Sequence, residues 1–278
     1  MAIVGMEGFD YFQTSAIDLQ INDHINYSMQ QPFLNTARIH DTGQRFGTGK
    51  YLGLYQNLND FIINTSGTTI TSTVYVSFAF KTSINLLYST DFLIIYNQAV
   101  SGAHVFFRIN PGGTITAWSG SSGALGQSTQ NINLDTWYWV EAKVVVNNGA
   151  GTINLKVDGV DFLNLSGKIT QSGASSQIGA IGLGGGPGRC FYDDLVWQDA
   201  TGDYLGDSTI DTLLPVGNSS ITWDYTGGAT NYDCVNDIGP DVTIDSQYVY
   251  TSVNESDYYT YGTIPTDSAV DALCITYR

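Results

Sequence analysis

Carboxylate side chains are the residues of this sequence with the greatest capacity for acid–base or metal chemistry. Asp193 and Asp194 stand side by side in a largely apolar, strand-like stretch, residues 191–198. Because adjacent residues of a strand point to opposite faces of the sheet, the two carboxylates are not expected to face one substrate. We predict that one accepts hydrogen bonds from backbone amides or a Tyr inside the protein and the other faces a loop. A Ca²⁺ ligand role for Asp194 is the alternative.

A second group of acids follows directly in the sequence. Asp199, Asp203 and Asp207 recur every four residues around glycines. Ca²⁺ prefers about six to eight oxygen ligands, and Asp-rich glycine loops can supply several of them. The EF-hand pattern is missing, so solvated linker acids are the favoured interpretation. The alternative is a Ca²⁺ site formed by Asp194, Asp199 and Asp203, and Ca²⁺ is the one cofactor that the sequence suggests.

The sequence contains no recognisable catalytic constellation. A glycosidase needs two carboxyl groups that face each other across a cleft. The chain has only three Glu residues (Glu7, Glu141 and Glu255) and no Glu-x-Asp-x-x-Glu run. It also lacks a Gly-x-Ser-x-Gly turn and a His-x-x-x-His pair. We therefore predict that the protein is not an enzyme and assign no catalytic residue. A glycan-degrading enzyme is the weakest alternative.

Aromatic side chains are abundant, with 18 Tyr, 12 Phe and 5 Trp. Exposed aromatic planes stack on sugar rings, and they also anchor protein interfaces, so the sequence leaves both roles open. Trp137 and Trp139 share one face of their predicted strand, and Tyr138 lies on the other. Trp118 and Tyr138 are the candidate carbohydrate-binding residues.

The charge balance excludes one broad class of function. The 278 residues include 26 acidic and 10 basic side chains, which gives a net charge of −16. A protein that binds nucleic acid through a broad basic surface needs clustered Lys or Arg, so that class is excluded. The longest apolar stretches, such as residues 92–96, have only the length of a strand. The first seven residues lack the features of a secretory signal. We expect no secretory signal and no membrane insertion.

Short strands are predicted for most of the chain up to residue 202. Residues 73–81 alternate polar and apolar side chains, and residues 104–118 form a hairpin pattern around a Pro-Gly-Gly turn. The longest strand pattern covers residues 137–146. Since no helical periodicity accompanies these strands, we predict an antiparallel two-sheet sandwich over residues 1–202. The run of polar and small residues 119–130 is predicted to be a long loop, the kind of segment where binding sites often lie.

The last third of the chain differs from the rest in charge. Residues 193–278 contain fourteen Asp and one Glu against one base, Arg278, so their net charge is −14. Residues 203–278 contain only a few strand-like stretches (221–225, 248–252 and 272–277). Such an acidic segment cannot easily bury enough apolar surface to fold alone. We predict a smaller, acidic, β-rich segment that is ordered by docking on another copy or another protein. The three Cys residues are expected to be free thiols, with a Cys190–Cys234 disulfide as the alternative.

Six segments of the sequence, in order, resemble motifs of a family of phage and prophage virion-associated proteins. These segments are residues 6–11, 43–47, 135–141, 157–159, 192–197 and 206–215. The family's first domain is similar to concanavalin A-like lectin and glucanase domains, a jelly-roll sandwich shared with laminin G modules. The resemblance implies a virion-associated protein without an assigned reaction, and a chain that usually continues into a second β domain.

The resemblance and the missing catalytic motifs together favour a non-enzymatic structural protein of a phage virion. It would be made in the bacterial cytoplasm and exposed on the capsid or tail, as a decoration, cement or fibre-associated component. We expect other virion proteins as partners and a homo-oligomer, with three-fold symmetry as the favoured arrangement. The alternative is a carbohydrate-binding adhesin that recognises glycans on the host surface.

Overall fold

The computed structural model describes residues 3–10, 27–29, 37–46, 49–55, 61–64, 70–83, 89–185, 189–211, 215–235, 248–250 and 256–261. Most of these residues lie in β-strands. The helical content of the described ranges is a single 3₁₀ turn, Tyr232–Cys234. No helix within these ranges is long and apolar enough to cross a membrane. The predicted all-β fold class is confirmed.

The strands are numbered in chain order. They are β1 Ile3–Glu7, β2 Tyr27–Met29, β3 Ala37–His40, β4 Tyr51–Tyr55, β5 Phe61–Asn64, β6 Thr73–Thr82, β7 Thr90–Asn97, β8 Ala103–Ile109, β9 Thr114–Ser119, β10 Gly123–Asn131, β11 Tyr138–Val145, β12 Asn148–Val157, β13 Val160–Ile169, β14 Ile178–Leu183, β15 Arg189–Gln198, β16 Pro215–Ser220, β17 Asp224–Thr226, β18 Tyr248–Tyr250 and β19 Tyr258–Tyr261.

Two antiparallel sheets make up the sandwich. The larger sheet has eight strands in the order β13-β12-β11-β6-β15-β4-β3, and β1 pairs with the C-terminal part of β15. The smaller sheet has seven strands in the order β10-β9-β8-β7-β14-β5-β2. This arrangement is a β-sandwich of the jelly-roll type, as the sequence predicted.

Alternating side chains build the core between the two sheets. In β6, Val74, Val76, Phe78 and Phe80 all belong to the central hydrophobic cluster. The intervening residues of β6 therefore lie on the opposite, outer face of the larger sheet. Across the core, the buried Tyr192 hydroxyl lies 2.8 Å from the backbone oxygen of Phe92, to which it donates a hydrogen bond. The same hydroxyl lies 2.6 Å from the Gly184 oxygen, so one polar group links the two sheets.

The prediction of a long loop over residues 119–130 is wrong. These residues form a tight turn followed by β10, which is the edge strand of the smaller sheet and pairs with β9. An edge strand can carry polar side chains on both faces, so β10 lacks the apolar alternation that predicts a strand. Ser128 holds it in place, because its hydroxyl accepts a hydrogen bond from the Ile115 amide at 2.9 Å.

The chain continues to contact the sandwich after residue 202. A turn at Asp199, closed by a hydrogen bond from the Gly202 amide to the Asp199 carbonyl, leads into residues 203–211. These residues run across the outer face of the larger sheet without regular structure of their own, and we call them the strap. A Cβ atom at Gly8 would lie only 2.7 Å from the Ile210 carbonyl oxygen, so the strap passes close to the end of β1.

After the strap, two small two-stranded sheets follow, β16 with β19 and β17 with β18. The Asp257 carboxylate joins their parts, because it accepts hydrogen bonds from the Thr222 and Trp223 amides and from the side chains of Asn231 and Tyr259. Cys190 and Cys234 are both buried, and the alternative Cys190–Cys234 disulfide is not formed. The predicted strand over residues 272–277 and the third cysteine, Cys274, lie outside the described residues.

Candidate functional site

The outer face of the larger sheet carries a dense group of aromatic and charged side chains. Alternation places Tyr75, Ser77, Ala79 and Lys81 of β6 on this face, opposite the core positions. The strand register places outward-facing residues of neighbouring strands beside these β6 residues; Phe191 of β15, for example, pairs with Lys81. Aromatic and charged residues from five different chain segments therefore meet on one surface.

Six of these residues form an aromatic–lysine cluster: His40, Tyr51, Tyr55, Lys81, Trp137 and Phe191. His40 stacks on Tyr51 with ring centroids 5.0 Å apart, and Phe191 meets the Tyr51 ring edge to face at 5.5 Å. Trp137 meets Tyr51 in the same geometry at 5.3 Å. The Tyr55 hydroxyl forms a hydrogen bond with Nε2 of His40. Trp137, Tyr55 and His40 are only half-buried, so part of the cluster faces solvent.

Lys81 provides the positive charge of the aromatic–lysine cluster. Its Nζ atom lies 4.5 Å from the centre of the Trp137 ring, 5.0 Å from that of Tyr51 and 5.1 Å from that of Phe191. Nζ also donates a hydrogen bond to the Gly43 carbonyl at 3.2 Å. Burial lowers the pKa of this ammonium group, although the nearby Asp135 carboxylate raises it in part. Lys81 is therefore held over three rings by cation–π contacts.

A small cavity of about 200 Å³ lies on the same face, between β15, the strap and the segment that precedes β4. It is lined by Asp10, Phe46, Gly49, Asp193, Asp194, Thr209, Ile210 and Asp211. Asp193 and Asp194 both face this cavity, although they are adjacent in sequence. Asp194 has a φ of +52°, a left-handed conformation, and the pairing of β15 with β6 shifts register at this point. This bulge interrupts the alternation of side chains, so the expectation that the two carboxylates point apart is wrong.

Hydrogen bonds and charges distinguish the two carboxyl groups. Asp193 accepts a hydrogen bond from the Asp194 amide at 3.0 Å. Burial, followed by the neighbouring charge of Asp194 and that of Asp10, raises the pKa of Asp193 to about 9. Burial also raises the pKa of Asp194, to about 7, against the opposing effects of the Ile210 amide and of Arg45. Burial therefore favours the protonated form of both carboxyl groups, which titrate together as neighbours.

The strap is attached to this face by buried polar groups of the sheet. Glu141 accepts hydrogen bonds from the backbone amides of Leu205 and Gly206, at 2.8 and 3.0 Å. Asp194 accepts one from the Ile210 amide at 2.7 Å. Arg45 lies over the Trp139 ring, forms an ion pair with Asp207 and donates to the Ser208 carbonyl. The strap therefore covers the β11 side of the face and leaves the aromatic–lysine cluster open.

The structure does not bring the two predicted carbohydrate-binding residues together. Trp118 lies on the outer face of the smaller sheet, stacked on Phe106 with ring centroids 6.1 Å apart. Arg108 lies over the Trp118 ring and is ion-paired with Asp91. Tyr138 belongs to the larger sheet, but it packs partly against the core, and its hydroxyl accepts a hydrogen bond from the Asn133 amide.

The predicted Ca²⁺ ligands are also separate. Asp194 is buried and bonded to the strap, whereas Asp199 is engaged in its own turn by the amide and hydroxyl of Thr201. Asp203 accepts a hydrogen bond from the adjacent Tyr204 amide. Within the described parts of the chain, no group of three His, Cys, Asp or Glu side chains is arranged to hold a metal ion.

Sequence analysis missed the aromatic–lysine cluster. Its members come from β3, β4, β6, β15 and the residue before β11, and only the pairing of these strands makes them neighbours. One local signal is present, because Lys81 ends the alternating strand pattern of residues 73–81 in a chain that is poor in lysine. A lysine at such a position marks the solvent-facing side of a sheet, but it does not identify the rings around it.

The similarities of this chain to known proteins are similarities to solved structures. No family profile and no curated protein matches this chain. Among solved structures, it is similar to a sialidase, with 14% identity and a TM-score of 0.48, over 72% of this chain but only 19% of the sialidase. It is also similar to the alginate lyase Aly36B, with 12% identity and a TM-score of 0.45, over 73% of this chain and 100% of the lyase. The carbohydrate-binding module CBM66 from Bacillus subtilis has 12% identity and a TM-score of 0.41, over 63% of this chain and 96% of the module.

These neighbours correct one prediction from the sequence. The expectation that the protein is not an enzyme is contradicted, because sialidases and an alginate lyase are among the structures with a similar sandwich. The missing Glu-x-Asp-x-x-Glu motif excluded only one way of placing carboxylates on such a sheet.

Proposed function

We propose that this protein binds carbohydrate through the aromatic–lysine cluster on the outer face of its larger sheet. The observation that carries the proposal is the half-buried Trp137 ring beside Lys81, with Nζ 4.5 Å from the ring centre. The C–H face of a sugar ring stacks on such a plane, and an ammonium group hydrogen-bonds the sugar's oxygens. Tyr55 and His40 supply further polar groups next to the rings.

The rigidity of the aromatic–lysine cluster supports this role. Tyr51 and Phe191 are almost fully buried and hold the more exposed rings in fixed orientations through edge-to-face contacts. Trp137 is held further by a hydrogen bond from Nε1 to the Gly43 carbonyl, at 3.3 Å. A preformed site loses little conformational entropy when it binds a ligand.

The test compares Trp137→Ala with Trp118→Ala on an array of neutral and acidic glycans, followed by calorimetric titration. Both variants remove one half-buried tryptophan that lies next to a cation, but on opposite sheets. We expect Trp137→Ala to lose binding and Trp118→Ala to keep it, with circular dichroism confirming that both variants are folded. Failure of the unmodified protein to bind any glycan would refute the proposal. Loss of binding in Trp118→Ala alone would move the site to the smaller sheet.

A second candidate function is cleavage of the bound glycan, and Asp193 is the observation that favours it. A general acid must hold its proton at the working pH, and burial raises the pKa of Asp193 to about 9. Asp193 lies two residues from Phe191 on β15, next to the aromatic–lysine cluster. The test is release of shorter saccharides from any glycan that binds. Asp193→Asn would abolish release while binding is retained.

The virion location, the homo-oligomer and the docking of residues 203–278 stay predictions from the sequence and its resemblance. On a virion, a glycan-binding sandwich would serve as an adhesin for the host surface. Labelled antibody against the purified protein, applied to phage particles from the host, would decide whether the chain is a virion component and whether it lies on the capsid or the tail.

A further inference from the structure

The positive charges of the larger sheet are concentrated on the face that carries the aromatic–lysine cluster. Five described cations lie on or over this face: Arg45, Lys81, Lys143, Lys156 and Arg189. The whole chain has only 10 basic residues and a net charge of −16. Half of the basic residues of this acidic chain thus lie on one face, where they can attract an anionic ligand.

Most of these cations form no ion pair with an acid in the described parts of the chain. Among the described residues, Arg45 is the one member of the five that forms ion pairs, with Asp194 and Asp207. Lys143 lies over Tyr75, and Lys156 lies over Tyr204 of the strap, so both are on the covered side of the face. Lys81 and Arg189 remain on the open side, where each lies over aromatic rings.

Lys81 lies within the aromatic–lysine cluster, and Arg189 lies beside it, over the Tyr55 ring. Arg189 and Phe191 share a face of β15, and Lys81 pairs with Phe191 across the sheet. The Arg189 guanidinium lies 5.1 Å from the centre of the Tyr55 ring, and its side chain is exposed. Asp135 near Lys81 offsets part of the Lys81 charge, whereas Arg189 forms no ion pair among the described residues.

We propose that the carbohydrate bound by this site is anionic, with carboxylate or sulfate groups that Lys81 and Arg189 contact while the sugar rings stack on Trp137. This inference rests on the proposed carbohydrate-binding function and specifies its ligand class. Ammonium and guanidinium groups form strong charge-assisted hydrogen bonds with such anions.

The experiment uses the full chain and matched pairs of glycans. Each acidic glycan that binds on the array is compared with its carboxyl-reduced or desulfated form, which keeps the sugar backbone and distinguishes the two anions. Binding is then measured for Lys81→Met, Arg189→Gln and the control Lys168→Met, whose lysine lies on the edge strand β13. Arg189 is exposed, so Arg189→Gln tests the inference even if Lys81→Met is poorly folded.

We expect acidic glycans to bind, with affinity reduced at least about tenfold when the anion is removed or when Lys81 or Arg189 is replaced. Affinity should also fall as salt rises, and Lys168→Met should bind normally. Binding of neutral glycans with equal affinity, lost in Trp137→Ala, would overturn this inference and leave the proposed function intact. Acidic binding that neither charge variant weakens would also overturn it. Failure of every glycan to bind would overturn both.

Discussion

The Lys81 ammonium group lies 4.5 Å from the centre of the Trp137 ring and shares the Gly43 carbonyl with the indole N–H as a hydrogen-bond acceptor. One backbone oxygen thus orients both the charge and the ring plane of the aromatic–lysine cluster. The segment that contains Gly43 connects β3 with β4, so the geometry of the site depends on a loop as well as on the sheet.

Removal of this charge should destabilise the fold to a small, measurable extent. Lys81→Met keeps most of the side-chain packing and removes the cation–π contacts, so we expect a loss of about 1 kcal/mol in the free energy of unfolding. Urea denaturation followed by tryptophan fluorescence measures it. Lys168→Met is the control and should change stability by less than about 0.5 kcal/mol. Equal stability of Lys81→Met and the parent protein would mean that the rings pack without help from the charge.

The raised pKa of Asp193 predicts how stability depends on pH. The folded state holds this proton up to about pH 9, whereas the unfolded chain releases it near the ordinary value of 3.8. A group of this kind stabilises the fold below its unfolded pKa, and the contribution is lost as pH rises through the folded pKa. The melting temperature should therefore fall between pH 5 and pH 9, and Asp193→Asn should flatten this decline. Calorimetry at pH 5, 7 and 9 gives the comparison, and a parallel decline in the variant would assign the effect to other groups.

Glu141 should control how firmly the strap is attached. Its buried carboxylate accepts hydrogen bonds from two strap amides, Leu205 and Gly206. Both amides donate to the same oxygen, Oε1, and Glu141→Ala removes it, so we expect a loss of about 2–3 kcal/mol in stability. Hydrogen exchange at the two amides should become much faster. Glu141→Gln keeps an acceptor oxygen and serves as the matched control, with slower exchange than in the alanine variant. Unchanged protection in Glu141→Ala would show that Arg45 and Asp194 hold the strap without it.

The stability of the segment after the strap should depend on a single carboxylate, that of Asp257. Asp257 accepts four hydrogen bonds that join β16–β19 to the 3₁₀ turn. Burial would raise its pKa, but these hydrogen bonds outweigh it and lower the pKa below the ordinary value. Its stabilising effect is therefore present above pH 4 and lost as pH falls through the lowered pKa. Asp257→Asn should increase proteolysis within residues 215–261 while the sandwich stays intact, as limited digestion with mass spectrometry would show. Equal resistance of the variant would contradict this.

Local patterns in the sequence are sufficient to predict the central strands of the sandwich. Alternation at residues 73–81 predicted β6, and the Pro-Gly-Gly turn predicted the β8–β9 hairpin, because a half-buried strand must place apolar side chains on every second position. Edge strands escape this rule. The backbone of β10 pairs with a neighbouring strand on one side only, so β10 needs few apolar side chains and its polar sequence predicts a loop.

Only the tertiary structure shows which residues come together in the aromatic–lysine cluster and in the cavity beside it. The aromatic–lysine cluster joins residues from position 40 to position 191 through strand pairings that have no local sequence signal. The shared cavity of Asp193 and Asp194 depends on one left-handed residue in a bulge, a conformation imposed where β15 changes its pairing from β4 to β1. Side-chain alternation is a property of the chain itself, whereas register, bulges and the path of the strap follow from the packing of distant segments against one another.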